Sequence, residues 1–294
     1  MVLCTKLLFL FSFFAIHYWF YPDFCTFVFM DRQKVALVLS TGGARGIAHI
    51  GVIEELERQG YEISSIAGCS MGALVGAAYA TGNLQKCKEA LCGLDLRRIW
   101  KLLDISFSKK GFLKGDKILK ELEGIMPNLN IEELPIPYTA VATNLLTDGE
   151  VVFEQGSLYE AVRASISLPF VFKPVEKEGM LLVDGGISNP LPLSRVKRTE
   201  GDLLVAVIAG APEERVSGNP RQLKNNKYSL LIESMTTLVQ RLIQCSVSAC
   251  RPDIVIRVPG RKYSLLQFNK AAGMIEEGAE ATRRALQETD ESKH

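Results

Sequence analysis

A serine in a glycine-flanked turn is the residue of this 294-residue chain that most clearly suggests chemistry. Ser70 is the centre of Gly-Cys-Ser-Met-Gly, residues 68–72. This Gly-x-Ser-x-Gly pattern is typical of an acyl-transfer nucleophile, which a histidine and an aspartate usually activate. The chain contains only three histidines, at positions 17, 49 and 294. Either the motif carries no chemistry, or another group takes the serine proton.

A glycine-rich turn, Thr41–Gly46, precedes the serine by one predicted strand. It follows an apolar run and opens a predicted helix, so its backbone N–H groups converge on an anion. Three interpretations are open: a phosphate cradle, an oxyanion hole, or a tight turn without chemistry. The cradle is disfavoured because the turn lacks a Gly-Lys-Ser/Thr ending and no acidic residue ends the next strand. An oxyanion hole fits better, because the serine arrives on that strand.

Asp184 supplies a carboxylate that could replace histidine. It follows the apolar run 180–183 and precedes Gly185 and Gly186. Asp-Gly is a common turn sequence, so Asp184 is a candidate site residue only because of its expected position in the sheet. We expect it at the carboxyl end of a buried parallel strand, where open α/β sheets place their sites. There it could accept the Ser70 proton directly, since a partly apolar pocket raises the pKa of a carboxyl and makes it a better base.

The elements that must position these residues alternate along the chain. Apolar runs predict strands at residues 35–39, 63–67, 138–142, 151–153, 180–183, 203–208 and 254–258. Helical spacing predicts helices at 47–60, 73–80, 115–123, 158–166, 228–248 and 271–287, and the apolar stripe from Tyr228 to Leu242 predicts a core helix. The alternation predicts an α/β fold with a mainly parallel sheet and helices on both faces.

Composition narrows the function classes. The chain has 34 Lys and Arg against 33 Asp and Glu, so bulk charge does not indicate a nucleic-acid partner. Its seven cysteines lack a C-x-x-C or metal-binding spacing, which favours reduced thiols in a cytosolic protein. Three scattered histidines do not indicate a zinc site. His49 lies about one helical turn beyond Gly46 and is interpreted as a packing or capping residue.

Three motifs in order resemble those of the patatin-like phospholipases. They are Gly-Gly-Ala-Arg-Gly-Ile-Ala-His (42–49), Gly-Cys-Ser-Met-Gly (68–72), and Ser-Leu-Pro-Phe (167–170) before Asp-Gly-Gly (184–186). The likeness extends from about Lys34 to about residue 260, and is strongest to short bacterial members related to neuropathy target esterase. It implies a three-layer α/β/α fold.

The resemblance also implies a chemistry. Ser70 would be the nucleophile and Asp184 the base of a Ser–Asp dyad. The oxyanion loop would be Gly42, Gly43, Ala44 and Arg45, with Thr41 standing where the family usually has another glycine. The implied reaction is hydrolysis of fatty-acyl esters of phospholipids or lysophospholipids, with transient contact to a membrane surface and no metal, calcium or other cofactor. The alternative is a lipid-binding or regulatory module that keeps the fold without turnover.

Residues 1–29 differ in composition from the rest and carry eight of the fourteen phenylalanines. A membrane anchor, a signal peptide and an extension upstream of a start at Met30 are the open interpretations, because the apolar run is short for a span. The hydrolase domain is expected at residues 30–290 and the protein in the cytoplasm, with membrane association through residues 1–29 left open. A second stretch, Leu96–Leu103, mixes basic and apolar residues and fits either an interfacial helix or a core helix.

Overall fold

Most of the predicted hydrolase domain is visible in a computed structural model, which describes residues 32–94, 127, 129–169, 171–212, 227–260 and 262–291. Three predictions lie outside these residues: the nature of segment 1–29, the role of Leu96–Leu103, and the helix at 115–123. Phe170 of the Ser-Leu-Pro-Phe motif lies outside them as well.

Within the described residues, eight strands form one sheet in the order β5-β6-β3-β2-β1-β7-β8, with β4 also paired to β3. The strands are β1 (Lys34–Leu39), β2 (Glu62–Cys69), β3 (Tyr138–Asn144), β4 (Gly149–Phe153), β5 (Val175–Lys177), β6 (Met180–Asp184), β7 (Leu203–Ala211) and β8 (Ile254–Pro259). The five strands β3, β2, β1, β7 and β8 are parallel. The predicted α/β class with a mainly parallel sheet is confirmed.

Helices cover both faces of this sheet. They are α1 (Ala48–Arg58), α2 (Met71–Ala80), α3 (Leu84–Cys92), α4 (Leu158–Ser165), α5 (Lys227–Cys250) and α6 (Ala271–Glu291). Alternate residues of β1 point into two different cores: Leu37 packs with α1, α2 and α6, whereas Val38 packs in the cluster that contains Ile243 of α5. Burial on both faces explains why β1 is apolar at every position after Lys34.

Two short elements escaped prediction, α3 and the three-residue strand β5. The prediction of a parallel strand before Asp184 is wrong, because β6 runs antiparallel to β3. β3 extends beyond the end of β2, and β6 pairs with β3 only along this extension, from Ala142 to Asn144, while its other edge pairs with β5. The direction of β6 depends on its connections to other elements, which its own five residues do not encode.

Helix α5 also differs from its prediction as a core helix. Ile243 is buried, but Leu231, Leu238 and Leu242 of the predicted stripe are 47%, 66% and 37% exposed. The packed face of the helix runs through Val239, Ile243 and Val247, of which Val239 belongs to the predicted stripe. The spacing of apolar residues correctly predicts the helix, but packing against the sheet selects which side is covered. Among the described residues, no helix is both long and apolar enough to cross a bilayer.

Candidate active site

Ser70 occupies a sharp turn between β2 and α2. Its backbone is left-handed, with φ 56° and ψ −123°, a strained conformation for a residue with a side chain. The turn depends on close backbone approach: a Cβ at Gly68 would lie 2.6 Å from Gly72 carbonyl atoms, and one at Gly72 would lie 2.4 Å from the Leu39 oxygen. The two glycines of the motif therefore let β2, β1 and α2 meet beneath the serine.

Ser70 and Asp184 are in direct contact. The Ser70 hydroxyl donates a hydrogen bond of 2.5 Å to Oδ2 of Asp184. The other carboxylate oxygen, Oδ1, accepts the amide N–H of Gly186 at 2.8 Å. Both side chains are nearly enclosed, with 7% of Ser70 and 2% of Asp184 exposed. The structure thus brings together the two residues predicted as nucleophile and base.

Sheet register explains how an antiparallel strand delivers Asp184 to this place. Cys69 at the end of β2 pairs with Val141 of β3, and Asp184 pairs with the next residue, Ala142. Asp184 therefore ends β6 at the level where β2 turns into Ser70. The prediction of a carboxylate at the carboxyl edge of the parallel strands is correct in position although wrong in strand direction.

Burial changes the acidity of Asp184. Removal of the carboxylate from water raises its pKa from 3.8 to about 6, and the hydrogen bonds from Ser70 and Gly186 oppose this shift. A base with a pKa near neutrality is better matched to proton transfer than an ordinary aspartate. The pair can therefore work as a nucleophile and base without an imidazole.

The glycine-rich turn lies beside the pair and is held from several sides. The Thr41 amide donates to the Pro190 carbonyl, and the Ala44 amide donates to the carbonyl of Leu265 at 2.8 Å. Of the four residues predicted to form the oxyanion loop, Ala44 therefore has its N–H already engaged. No acceptor among the described residues contacts the amides of Gly42 and Gly43, which begin a short 3-10 helix at 43–47. These two N–H groups are suited to an anion.

Arg45 lies on the backbone of β7. A side chain built on Gly210 would come within 2.8 Å of the Arg45 guanidinium carbon, so only glycine leaves room for this contact. This packing lets the Arg45 side chain brace the loop against β7.

His49 is fully buried beneath the same loop and does not contact Ser70 or Asp184. Its Nε2 is 2.9 Å from the carbonyl oxygen of Ser40, so Nε2 carries the proton, and no described partner contacts Nδ1. Burial lowers its pKa to about 4, which keeps the ring neutral at physiological pH. This geometry agrees with a packing role. A histidine triad with His49 is not formed, because His49 does not contact Ser70.

Sequence reasoning missed the end of α4 and the segment that follows it, which together hold both members of the pair. Ser165 accepts the Ser70 amide N–H through Oγ at 2.9 Å, and the Ser167 carbonyl accepts the Asp184 amide at 3.0 Å. Thr143 adds a hydrogen bond from its hydroxyl to the Asp184 carbonyl. The only signal in the sequence was the Ser-Leu-Pro-Phe motif, which by itself indicates no contact with Ser70.

We expect Ser165→Ala to lower kcat roughly 10- to 100-fold with little change in KM. The substitution leaves the buried Ser70 amide without an acceptor, which costs about 1–3 kcal/mol and frees the strained turn. Steady-state kinetics and the rate of labelling by a fluorophosphonate both report on this change. The control is Ser157→Ala at the other end of α4, where the hydroxyl caps the helix. It should lower the melting temperature and leave kcat unchanged, and equal kcat values for the two variants would contradict the assignment.

No group of three His, Cys, Asp or Glu side chains within the described ranges is arranged to hold a metal ion. What the site presents is a buried serine, a carboxylate of raised pKa and two amides without acceptors.

Several known proteins are similar to this chain in sequence or in structure. An NTE family protein of Mycobacterium tuberculosis is 43% identical over 218 residues, which cover 74% of this chain and 60% of the relative. The lysophospholipase NTE1 of Saccharomyces cerevisiae is 28% identical over 285 residues, 88% of this chain and 17% of the relative. The chain thus spans less than two thirds of the length of either relative. VipD from Legionella pneumophila matches with 18% identity and a TM-score of 0.48, over 88% of this chain and 67% of that one.

A family model described as Patatin-like phospholipase matches residues 37–196. The match covers more than half of the chain and includes the glycine-rich turn, Ser70 and Asp184. It confirms the resemblance inferred from the three motifs, and the chain belongs to the patatin-like phospholipase family.

Proposed function

We propose that this protein is a serine acyl-ester hydrolase that acts on phospholipids or lysophospholipids through Ser70 and Asp184. The observation that carries the proposal is the 2.5 Å hydrogen bond from the Ser70 hydroxyl to a buried carboxylate. The lipid substrate class is supported by the family and by the yeast relative, whose name is lysophospholipase.

In the proposed first half-reaction, Asp184 removes the Ser70 proton while the serine oxygen attacks the ester carbonyl. The carbonyl oxygen becomes an oxyanion, which the amides of Gly42 and Gly43 stabilise. The N-terminus of α2 adds a favourable potential, because a helix N-terminus attracts negative charge. Collapse of the intermediate breaks the ester bond, and the departing alcohol takes the proton from Asp184. The acyl group remains on Ser70.

In the second half-reaction, water attacks the acyl-enzyme and Asp184 takes its proton. The same amides hold the second oxyanion, and the fatty acid leaves as the proton returns to Ser70. Loss of a single oxyanion donor typically costs about 3 kcal/mol of transition-state stabilisation. The engaged amide of Ala44 contributes indirectly, since its bond to Leu265 fixes the loop.

Release of fatty acid by the purified full chain tests the proposal. A panel of phosphatidylcholine, phosphatidylglycerol and their lyso forms should yield free fatty acid without added metal, and a fluorophosphonate should label the peptide that contains Ser70. Binding of lipid with neither turnover nor label would contradict hydrolysis and favour the alternative of a lipid-binding module.

We expect His49→Ala to keep kcat within about tenfold of the parent in its folded fraction, because His49 is neutral and its described hydrogen bond goes to the Ser40 carbonyl and not to the dyad. Its melting temperature should fall, since the substitution leaves a cavity and removes a donor from the Ser40 carbonyl. A loss of kcat as large as that of Ser70→Ala, with the protein still folded by circular dichroism, would instead support a histidine triad.

A further inference from the structure

Large apolar side chains that are exposed in the described part of the chain are concentrated at the edge of the sheet where the site lies. Six of them define what we call the apolar rim: Leu146, Ile187, Leu230, Leu231, Leu238 and Leu266, which are between 38% and 66% exposed. The remaining two exposed large apolar residues, Leu145 and Leu242, are neighbours of this set. Single exposed leucines scattered over a surface need no explanation, but a collection at one edge does.

Three rim residues lie on loops that belong to the site. Leu146 is in the turn after β3, just beyond the strand that pairs with Asp184. Ile187 is three residues after Asp184, in the short 3-10 helix that Asp184 caps. Leu266 follows Leu265, whose carbonyl holds the Ala44 amide. The three loops carry their exposed apolar side chains at the carboxyl edge of the parallel strands.

The other three are on the first half of α5, which extends past this edge. The helix runs antiparallel to β7: the segment after its C-terminus bonds to Leu204 at the start of β7, and Gln240 reaches the Gly210 carbonyl near the end of β7. The residues before Gln240 therefore continue beyond the sheet. At 1.5 Å per residue, this half of the helix is about 20 Å long.

Three hydroxyl groups on this half-helix form hydrogen bonds within the helix. Ser234, Thr236 and Thr237 each donate their hydroxyl to the backbone carbonyl four residues earlier. The projecting half contains one carboxylate, Glu233, whose side chain is partly buried, and the exposed Arg241 lies just beyond Gln240. A helix surface with exposed leucines, internally bonded hydroxyls and little charge suits the interface between lipid headgroups and acyl chains.

We propose that the apolar rim is the surface by which this protein docks onto a lipid bilayer, with the projecting half of α5 lying in the headgroup region. This inference rests on the proposed function. Since Ser70 and Asp184 are nearly enclosed, a lipid ester must leave its bilayer to reach them. Docking around the entrance shortens that path and shields the acyl chain from water. A second copy of the chain would cover the same leucines, but would also obstruct access to the dyad.

The test compares vesicle binding with hydrolysis of a soluble ester. Leu230→Gln, Leu231→Gln and Leu238→Gln are combined in one variant, because glutamine keeps helix propensity. Binding to phosphatidylcholine vesicles that contain phosphatidylglycerol is measured by flotation, in a Ser70→Ala background so that turnover does not alter the membrane. We expect binding to weaken roughly tenfold or more. With Ser70 intact, hydrolysis of vesicle lipid should fall in parallel while hydrolysis of p-nitrophenyl butyrate stays unchanged.

The matched control is Ser248→Gln with Ala249→Gln, exposed positions on the half of α5 that lies along the sheet. It should bind vesicles like the parent. A second rim variant, Leu146→Gln with Leu266→Gln, should weaken binding from the loop side without touching α5.

Equal vesicle binding by the parent and both rim variants would overturn the docking proposal, even if the soluble ester is hydrolysed. A dimer of the parent that becomes monomeric in the α5 variant, with vesicle binding unchanged, would overturn it in favour of a second copy. If the parent binds vesicles but hydrolyses no ester, and both rim variants bind vesicles more weakly, the docking proposal is supported and the proposed hydrolysis is contradicted.

Discussion

Ser70→Ala should reduce kcat/KM for ester hydrolysis by roughly 10⁴-fold or more, because the substitution removes the atom that forms the acyl-enzyme. Such a loss corresponds to about 5 kcal/mol of transition-state stabilisation. Alanine fits the same left-handed turn with the strain that serine already bears there, so the fold should remain intact. Fatty-acid release and intact-protein mass after fluorophosphonate treatment measure the effect.

The control for Ser70→Ala is Ser248→Ala, an exposed serine at the far end of α5. It should keep both the activity and the label. Appreciable release of fatty acid by Ser70→Ala, at a level that follows its concentration through purification, would contradict the role of Ser70 as nucleophile.

Asp184→Asn should abolish hydrolysis to a similar degree, since an amide cannot take the Ser70 proton. The parent should show the reason in its pH profile. Burial raises the Asp184 pKa to about 6, so kcat/KM should fall about tenfold for each pH unit below 6 and level off above it. Rates measured on a soluble ester between pH 4 and pH 9 test this dependence. A profile that is flat through pH 6 would contradict Asp184 as the base.

Although Asp184→Asn should abolish activity, it should increase the stability of the folded protein above pH 6. Between pH 4 and pH 6 the folded protein holds a proton on Asp184 that the unfolded chain has lost, so the free energy of unfolding decreases as pH rises through this range. A pKa raised from 3.8 to about 6 corresponds to about 3 kcal/mol of destabilisation above pH 6. Asp184→Asn removes this cost. Urea unfolding gives the free energy of unfolding of the variant and of the parent. The variant's value minus the parent's should be about 3 kcal/mol larger at pH 8 than at pH 4.

Asp202→Asn is the matched control for a buried carboxylate away from the site. Asp202 is 3% exposed and accepts hydrogen bonds from the Ser64 hydroxyl and the Thr199 amide at the opposite edge of the sheet. Its amide variant should lose stability and keep the activity of the folded fraction. If Asp202→Asn were as inactive as Asp184→Asn, loss of activity would report damage to the fold rather than loss of the base.

Local sequence was sufficient for the parts of the site that a few consecutive residues encode. The apolar run after Lys34 predicts a strand buried on both faces, because every side chain in it must avoid water. Gly68 and Gly72 predict a tight strand-to-helix turn, because no other residue allows the backbones to approach so closely. The sequence also predicts a dyad, because the chain has few histidines that could act as the base and Asp184 supplies a carboxylate that could replace them.

Contacts between distant segments decided the rest. The antiparallel direction of β6, the hold of Ser165 on the Ser70 amide, and the use of the Ala44 amide by Leu265 join residues far apart in the chain. The stripe on α5 shows the limit most clearly: its period predicts a helix, but the sheet covers Val239 and Ile243 and leaves Leu238 exposed. Sequence alone determined most of the elements, though not α3 and β5, and the residues that carry chemistry, since these follow from local side-chain types. Only the tertiary structure decided which faces are covered and which groups meet, because these depend on the surfaces that packing brings together.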